Sequence, residues 1–210
     1  MSDAAPAAAP PAARARRDRP RILVLCSGNI CRSPMGEVIL RDRLAARALP
    51  GVVRSAGRYF DGREAEPFAV DAMARRGLDL RPFRSRTLDP ETATGADLVL
   101  GMAREHVRDA VVLAPEIADR TFTLKEAVRR ATDLGGPQPG EAFPAFVARM
   151  AEGRSPSEHL GSSRLDDIDD PMGRSAGRFE DTAVQIEEQV DRLVELLAPT
   201  LPTVAPAPGR

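Results

Sequence analysis

The sequence predicts an α/β fold: a single three-layer domain with a four-stranded parallel sheet flanked by helices. Three observations predict it. Short apolar runs alternate with helical patterns in the order strand, helix, strand, helix, strand, helix, strand, the pattern of a parallel sheet. The runs at 22–26 and 98–102 are apolar throughout instead of alternating, as in strands covered on both faces. The first run breaks at Ser27-Gly28-Asn29 and leads straight into a helical pattern.

The elements follow in order. Arg21-Ile22-Leu23-Val24-Leu25-Cys26 is the first strand. Pro34 then sits at a helix start, where proline is favoured at the first position. Met35, Val38, Ile39 and Leu44 recur on one side to about Ala48, and Pro50-Gly51 stops the helix. Val52–Gly57 is a second strand, residues 65–76 a helix closed by Gly77, Ala96–Met102 a third strand, and Arg104–Val112 a short helix. Arg120–Leu124 is the candidate fourth strand. Residues 132–164 read as a surface insertion, broken by Gly135-Gly136-Pro137 and Pro139-Gly140, with a weak helical pattern over 141–152. The last helix is clear, because Ile186, Val190, Leu193, Val194 and Leu197 share one face.

Composition bounds what such a domain does. The 210 residues carry 30 Lys and Arg against 31 Asp and Glu. That balance excludes a strongly basic nucleic-acid binder. Two cysteines are too few for a disulfide scaffold or a four-ligand zinc cluster, and a reduced setting is expected. Nineteen prolines exceed the usual ~5%, but eight fall in residues 1–20 and 199–210. Both ends therefore read as disordered tails, the first rich in Ala, Pro and Arg, around a domain at 21–198. The segment Ala4–Pro11 lacks the apolar run of a signal peptide. No stretch approaches the ~20 apolar residues of a membrane span. A cytoplasmic protein without a membrane partner is expected.

The chemistry concentrates in Cys26-Ser27-Gly28-Asn29-Ile30-Cys31-Arg32-Ser33, a phosphate-binding loop after the first strand. A helix N-terminus presents unpaired N–H groups and partial positive charge, which suits an anion. Gly28 and Asn29 tolerate a left-handed backbone, which lets successive N–H groups curl around a ligand. Arg32 adds a planar fork that matches two phosphate oxygens. Cys26 stands at the loop's mouth, where the same field favours a thiolate, and Ser33 is placed to donate to it. The set reads as a phosphate cradle with a nucleophile at its base.

The stretch from Leu23 to Glu37 resembles the signature of the low-molecular-weight protein tyrosine phosphatases. Ser55-Ala56-Gly57 resembles the family's second-strand motif and Asp97–Met102 its third strand. Asp170-Pro171, followed by Phe179-Glu180 and a long helix, resembles its general-acid loop. The resemblance covers about 21–198 apart from 132–164. It implies a phosphatase that forms a phosphocysteine on Cys26, with Arg32 and the loop amides of Ser27, Gly28, Asn29, Ile30 and Cys31 holding the phosphoryl oxygens. Asp170 would serve as acid, then base, with Asp169 the runner-up. Ser33 would steady the thiolate and Asn29 the loop. No metal or other cofactor is called for, since Arg32 and the N–H groups supply positive charge. The implied partners are a phosphorylated protein and phosphate or another oxyanion, acting on a monomer or weak dimer.

Several positions stay open or depart from the pattern. Cys31 is either a packed loop residue or, as the resemblance implies, a redox partner of Cys26. Tyr59 and Phe60 are core residues or a wall of the substrate slot, and Met172 stands where the family usually has an aromatic. Phe83 lies near the place of a histidine that pins the loop asparagine, and Arg58 replaces a small hydroxyl residue. A bulky Ile30 resembles the phosphotyrosine type rather than the phosphoarginine type, which has a small threonine. Asp166, Asp167 and Asp169 form an acidic run with Asp170 that reads as solvated. His106 and His159 are read as surface residues without a role. The rivals are a thioredoxin-coupled arsenate reductase, which needs further cysteines in a distant segment, a phosphocarrier domain and a catalytically weak phosphoprotein-binding relative.

Overall fold

The computed structural model describes residues 19–155, 163 and 165–202. Its sheet has four parallel strands in the order β2-β1-β3-β4. These are β1 Arg21–Cys26, β2 Val52–Gly57, β3 Leu98–Gly101 and β4 Thr121–Thr123. The helices are α1 Arg32–Ala46, α2 Pro67–Ala74, α3 Pro90–Thr94, α4 Arg104–Leu113, α5 Leu124–Asp133, α6 Phe143–Ala151 and α7 Ala176–Leu197. A 3₁₀ turn at Pro115–Arg120 leads into β4.

The sheet is covered on both faces, which explains why β1 shows no alternation. Ile22, Val24 and Cys26 join the larger core with Met35 and Ile39 of α1 and Phe179, Ile186 and Val190 of α7. Leu23 and Leu25 join the smaller core with Ala110 of α4 and Ile117. Pro34 is the third residue of α1, not the first. Proline is tolerated there because the first four N–H groups of a helix lack intrahelical acceptors anyway.

Residues 132–155 depart from the expected surface insertion. Gly135 and Gly136 have φ of 71° and 83° and end α5 as left-handed glycines do. Helix α6 then buries Phe143, Phe146, Val147 and Met150 in the larger core. That i, i+3, i+4, i+7 stripe was the signal; the glycines and prolines before it masked its weight. Residues 156–162 and 164, with His159, lie outside the described residues. So do 1–18 and 203–210, on which the tail expectations rest. Among the described residues, no helix is long and apolar enough to cross a membrane.

The strand order places the site. The chain leaves β1 for β2 on one side and reaches β3 on the other. Loops diverge at such a switch point and open a crevice at the carboxyl ends of the strands. The register sets Cys26 beside Gly57 and Leu25 beside Gly101.

Candidate active site

Five residues separate the end of β1 at Cys26 from the start of α1 at Arg32. Asn29 takes φ +51°, a left-handed conformation its short polar side chain permits. Gly28 is not left-handed. Space there is tight, since a Cβ would lie 3.1 Å from the Phe60 ring and 3.4 Å from Ile30, and the ring would have to give by a few tenths of an ångström. Among the described residues, the N–H groups of Ser27, Gly28, Asn29, Ile30 and Cys31 find no protein acceptor. The loop is therefore a run of free donors at the positive end of a 15-residue helix.

The Cys26 sulfur is buried and accepts a hydrogen bond of 3.0 Å from Ser33 Oγ. Behind it the donors run in one direction. Asn29 Nδ2 donates to Ser33 Oγ at 2.8 Å and to Ser55 Oγ at 2.9 Å. Ser55 Oγ donates to the buried Glu37 at 2.6 Å. Asn29 Oδ1 accepts the Arg86 backbone N–H at 2.8 Å, and the Arg86 guanidinium reaches Glu37 at 3.2 Å. The departure at Phe83 therefore does not leave Asn29 without support. Phe83 is buried, and its ring lies 5.5 Å beneath that guanidinium.

Arg32 is 4% exposed. Its Nη1 donates to the Ile168 carbonyl at 3.0 Å and its Nη2 to Asp170 Oδ2 at 2.7 Å. Its Nε is buried with no partner among the described residues. Asp170 is half exposed and also accepts the Met172 N–H at 3.1 Å. Asp169, the runner-up, is exposed; the contact with Arg32 belongs to Asp170.

The rest of the acidic run is not simply a solvated loop. Asp166 is 1% exposed, 2.7 Å from Arg104 and 3.3 Å from Arg129. Burial pushes its carboxyl up, but the two guanidiniums hold it below the usual carboxylate range. Asp167 accepts the Arg104 N–H at 2.8 Å, and the Ile168 N–H donates to the Met102 carbonyl at 2.8 Å. These contacts tie the segment to the end of β3 and the start of α4, and so place Asp170 over Arg32. A cleft of about 500 Å³ lies between Arg32, Asp167–Asp170 and the α4 residues Glu105 and Arg108.

The other expected residues divide. Ile30 and Cys31 are buried, and burial pushes the Cys31 thiol up, reinforced by the nearby Cys26 and Asp170. Both cysteines are free thiols. Tyr59 is 64% exposed and meets Phe60 edge-on; Phe60 is the ring against Gly28. Met172 is exposed. Arg58 is exposed, but its backbone N–H donates to the Ser27 carbonyl at 2.7 Å. Among the described residues, no group of three His, Cys, Asp or Glu side chains is placed to hold a metal ion.

Sequence reasoning missed four residues. Glu37 and Arg86 close the Asn29 network. Gly57 is the point of closest approach, since a Cβ on it would meet Asn29 N at 2.7 Å, Cys26 O at 2.7 Å and Ser27 O at 2.8 Å. His106, read as a surface residue, is 4% exposed. Its Nδ1 accepts the Ala103 N–H at 2.9 Å, and its Nε2 lies 2.9 Å from Ser27 Oγ. Burial, then Arg32 and Arg108, push its pKa down to about 3. A side chain at the third helical position that bonds the N-cap N–H is a capping signal, and His106 occupies that position after Ala103.

The chain is similar in sequence and fold to known proteins. A family model described as low molecular weight phosphotyrosine protein phosphatase matches residues 21–152. The low molecular weight protein-tyrosine-phosphatase Etp of Escherichia coli is 43% identical over 103 residues, 48% of this chain and 66% of its own. EpsP of Ralstonia solanacearum, named a probable low molecular weight protein-tyrosine-phosphatase, is 33% identical over 175 residues, 82% of this chain and 92% of its own. The structure of the YwlE arginine phosphatase from Geobacillus stearothermophilus superposes with a TM-score of 0.63 at 30% identity, covering 85% of this chain and 93% of that one.

Proposed function

The chain belongs to the low molecular weight phosphotyrosine protein phosphatase family, and from that premise we propose that it hydrolyses phosphotyrosine-type phosphomonoesters, without a metal, through a phosphocysteine intermediate. One observation carries the reading: Cys26 Sγ accepts from Ser33 at the base of a loop whose N–H donors, like the buried Arg32 Nε that follows it in the chain, have no partner among the described residues.

In the first step the Cys26 thiolate attacks phosphorus as the bond to the leaving oxygen breaks. The loop N–H groups and Arg32 hold the three non-bridging oxygens, where charge spreads in the transition state. Arg32 would offer Nε and Nη2 together, which draws Nη2 from Asp170. Asp170 gives its proton to the departing oxygen. In the second step Asp170 takes a proton from water as that water attacks the phosphocysteine, and Cys26 leaves as thiolate. The Ser33 bond supports the charged sulfur at both ends of the cycle.

The buried Ile30 against Gly28 supports the phosphotyrosine-type reading, and a structural neighbour that is an arginine phosphatase makes phosphoarginine the comparison that matters. Phosphate is the expected product inhibitor. A cytoplasmic monomer or weak dimer with its domain at 21–198 completes the reading. The test presents phosphotyrosine, phosphoarginine and phosphoserine peptides side by side, with chelator present and arsenate as control. Turnover led by phosphotyrosine is expected. Chelator-sensitive activity would overturn the mechanism, and faster phosphoarginine hydrolysis the substrate class.

A further inference from the structure

Helix α4 meets the phosphate loop at Ser27, where His106 makes the short contact and Glu105 a longer one. The Ala103 N–H donates to His106 Nδ1 at 2.9 Å. That nitrogen is therefore the acceptor, and in the neutral ring the hydrogen sits on Nε2. Nε2 lies 2.9 Å from Ser27 Oγ and 3.3 Å from Glu105 Oε1. Ser27 directly follows the nucleophile, and its carbonyl is fixed from behind by the N–H groups of Arg58 at 2.7 Å and Tyr59 at 3.2 Å. A hydroxyl that accepts from Nε2–H keeps one hydrogen to give. Among the described residues that hydrogen has only Glu105 Oε1 at 3.4 Å, at the long end of the hydrogen-bond range.

We propose that His106 is a positioning residue: its Nε2–H holds Ser27 Oγ as an acceptor, so that Ser27 turns its own hydrogen to an oxygen of the phosphoryl group seated in the loop. The proposal rests on the phosphatase reading and adds a side-chain donor to the backbone cradle. Burial keeps the ring neutral across the working pH range, so the donor pattern does not change with pH. An imidazolium would instead give both nitrogens as donors and expel the Ala103 N–H.

Such a contact acts alike on bound ester, transition state and bound phosphate, so it belongs in KM and in phosphate inhibition rather than in kcat. His106→Phe keeps the ring shape and removes both hydrogen bonds; His106→Gln keeps a donor for Ser27. For His106→Phe, KM and the inhibition constant of inorganic phosphate should each rise about three- to tenfold, with kcat changed less than twofold. Ser27→Ala should do the same. The double variant should match either single one, and His106→Gln should recover most of the loss. In the ¹⁵N spectrum His106 should appear as the neutral Nε2–H tautomer. Additive effects in the double variant, a fall in kcat with unchanged phosphate inhibition, failure of His106→Gln to recover, or an Nδ1–H tautomer would each overturn the proposal. If His106→Phe does not fold, Ser27→Ala and the tautomer decide alone. Absence of turnover in the wild-type protein would sink the phosphatase reading instead, which keeps the two failures apart.

Discussion

Replacing Gly57 by alanine tests whether β2 shapes the phosphate loop. The new Cβ would stand 2.7 Å from Asn29 N, 2.7 Å from Cys26 O and 2.8 Å from Ser27 O. All three are backbone atoms, so no side-chain rotation relieves the clash. Ordinary contact begins near 3.4 Å, so the loop or the strand must move by about 0.7 Å. Overpacking of this kind costs roughly 1–3 kcal/mol, or roughly 3–10 °C in Tm for a domain of this size. The rate should suffer more. Misplacing reacting groups by ~1 Å costs ~100-fold, and here the displaced atoms are those of the nucleophile and the donor beside it. A fall of about 10- to 100-fold in kcat/KM is expected, read with an aryl phosphate alongside scanning calorimetry. Gly77→Ala is the control. Its φ of +72° makes alanine strained, but nothing lies within 4 Å, so Tm should drop without loss of kcat/KM. A Gly57→Ala protein with wild-type kcat/KM would refute the reasoning.

Other predictions follow from the buried charges. Asp166→Asn leaves Arg104 and Arg129 facing a neutral side chain, so stability should fall by about 3 kcal/mol in urea unfolding, with kcat reduced because Asp170 loses its anchor. Ser55→Ala strips Glu37 and Asn29 of a partner at once; a loss of about 1–3 kcal/mol is expected, again by urea. His106 has a folded pKa of about 3 against an ordinary 6.5. Between those values the unfolded chain binds a proton that the folded chain refuses. The contribution is complete above pH 6.5 and is lost as pH falls toward 3, at up to about 1.4 kcal/mol per pH unit. His106→Gln should flatten that limb in unfolding curves at pH 4, 5 and 7.

The loop from Cys26 to Ser33 was legible because its chemistry is local: the residues that bind, bend and attack are neighbours in the chain. Asp170 was legible through the proline after it. The remainder is recruited across the sheet. Ser55 and Arg86 meet Asn29, and Glu37 meets them in turn, because β1 and β2 pair in the observed register, and His106 reaches Ser27 because β3 lies on the other side of β1. Gly57 could be read as part of a motif, but its reason, a backbone contact across two strands, is visible only in three dimensions. The acidic run misled because composition cannot tell a solvated aspartate from one clamped by arginines distant in sequence, as Asp166 is. Helix α6 misled through its flanks, since Gly-Pro punctuation outweighed a sound apolar stripe.

In the proposed mechanism Cys26 carries the phosphoryl group. Asp170→Ala protein mixed with a good-leaving-group aryl phosphate and quenched in acid within one turnover should show a phosphoryl adduct on the peptide holding Cys26. The adduct should map to Cys26 rather than Cys31, and Cys26→Ala should neither form it nor turn over. Turnover without that adduct, or an active Cys26→Ala protein, would contradict the account.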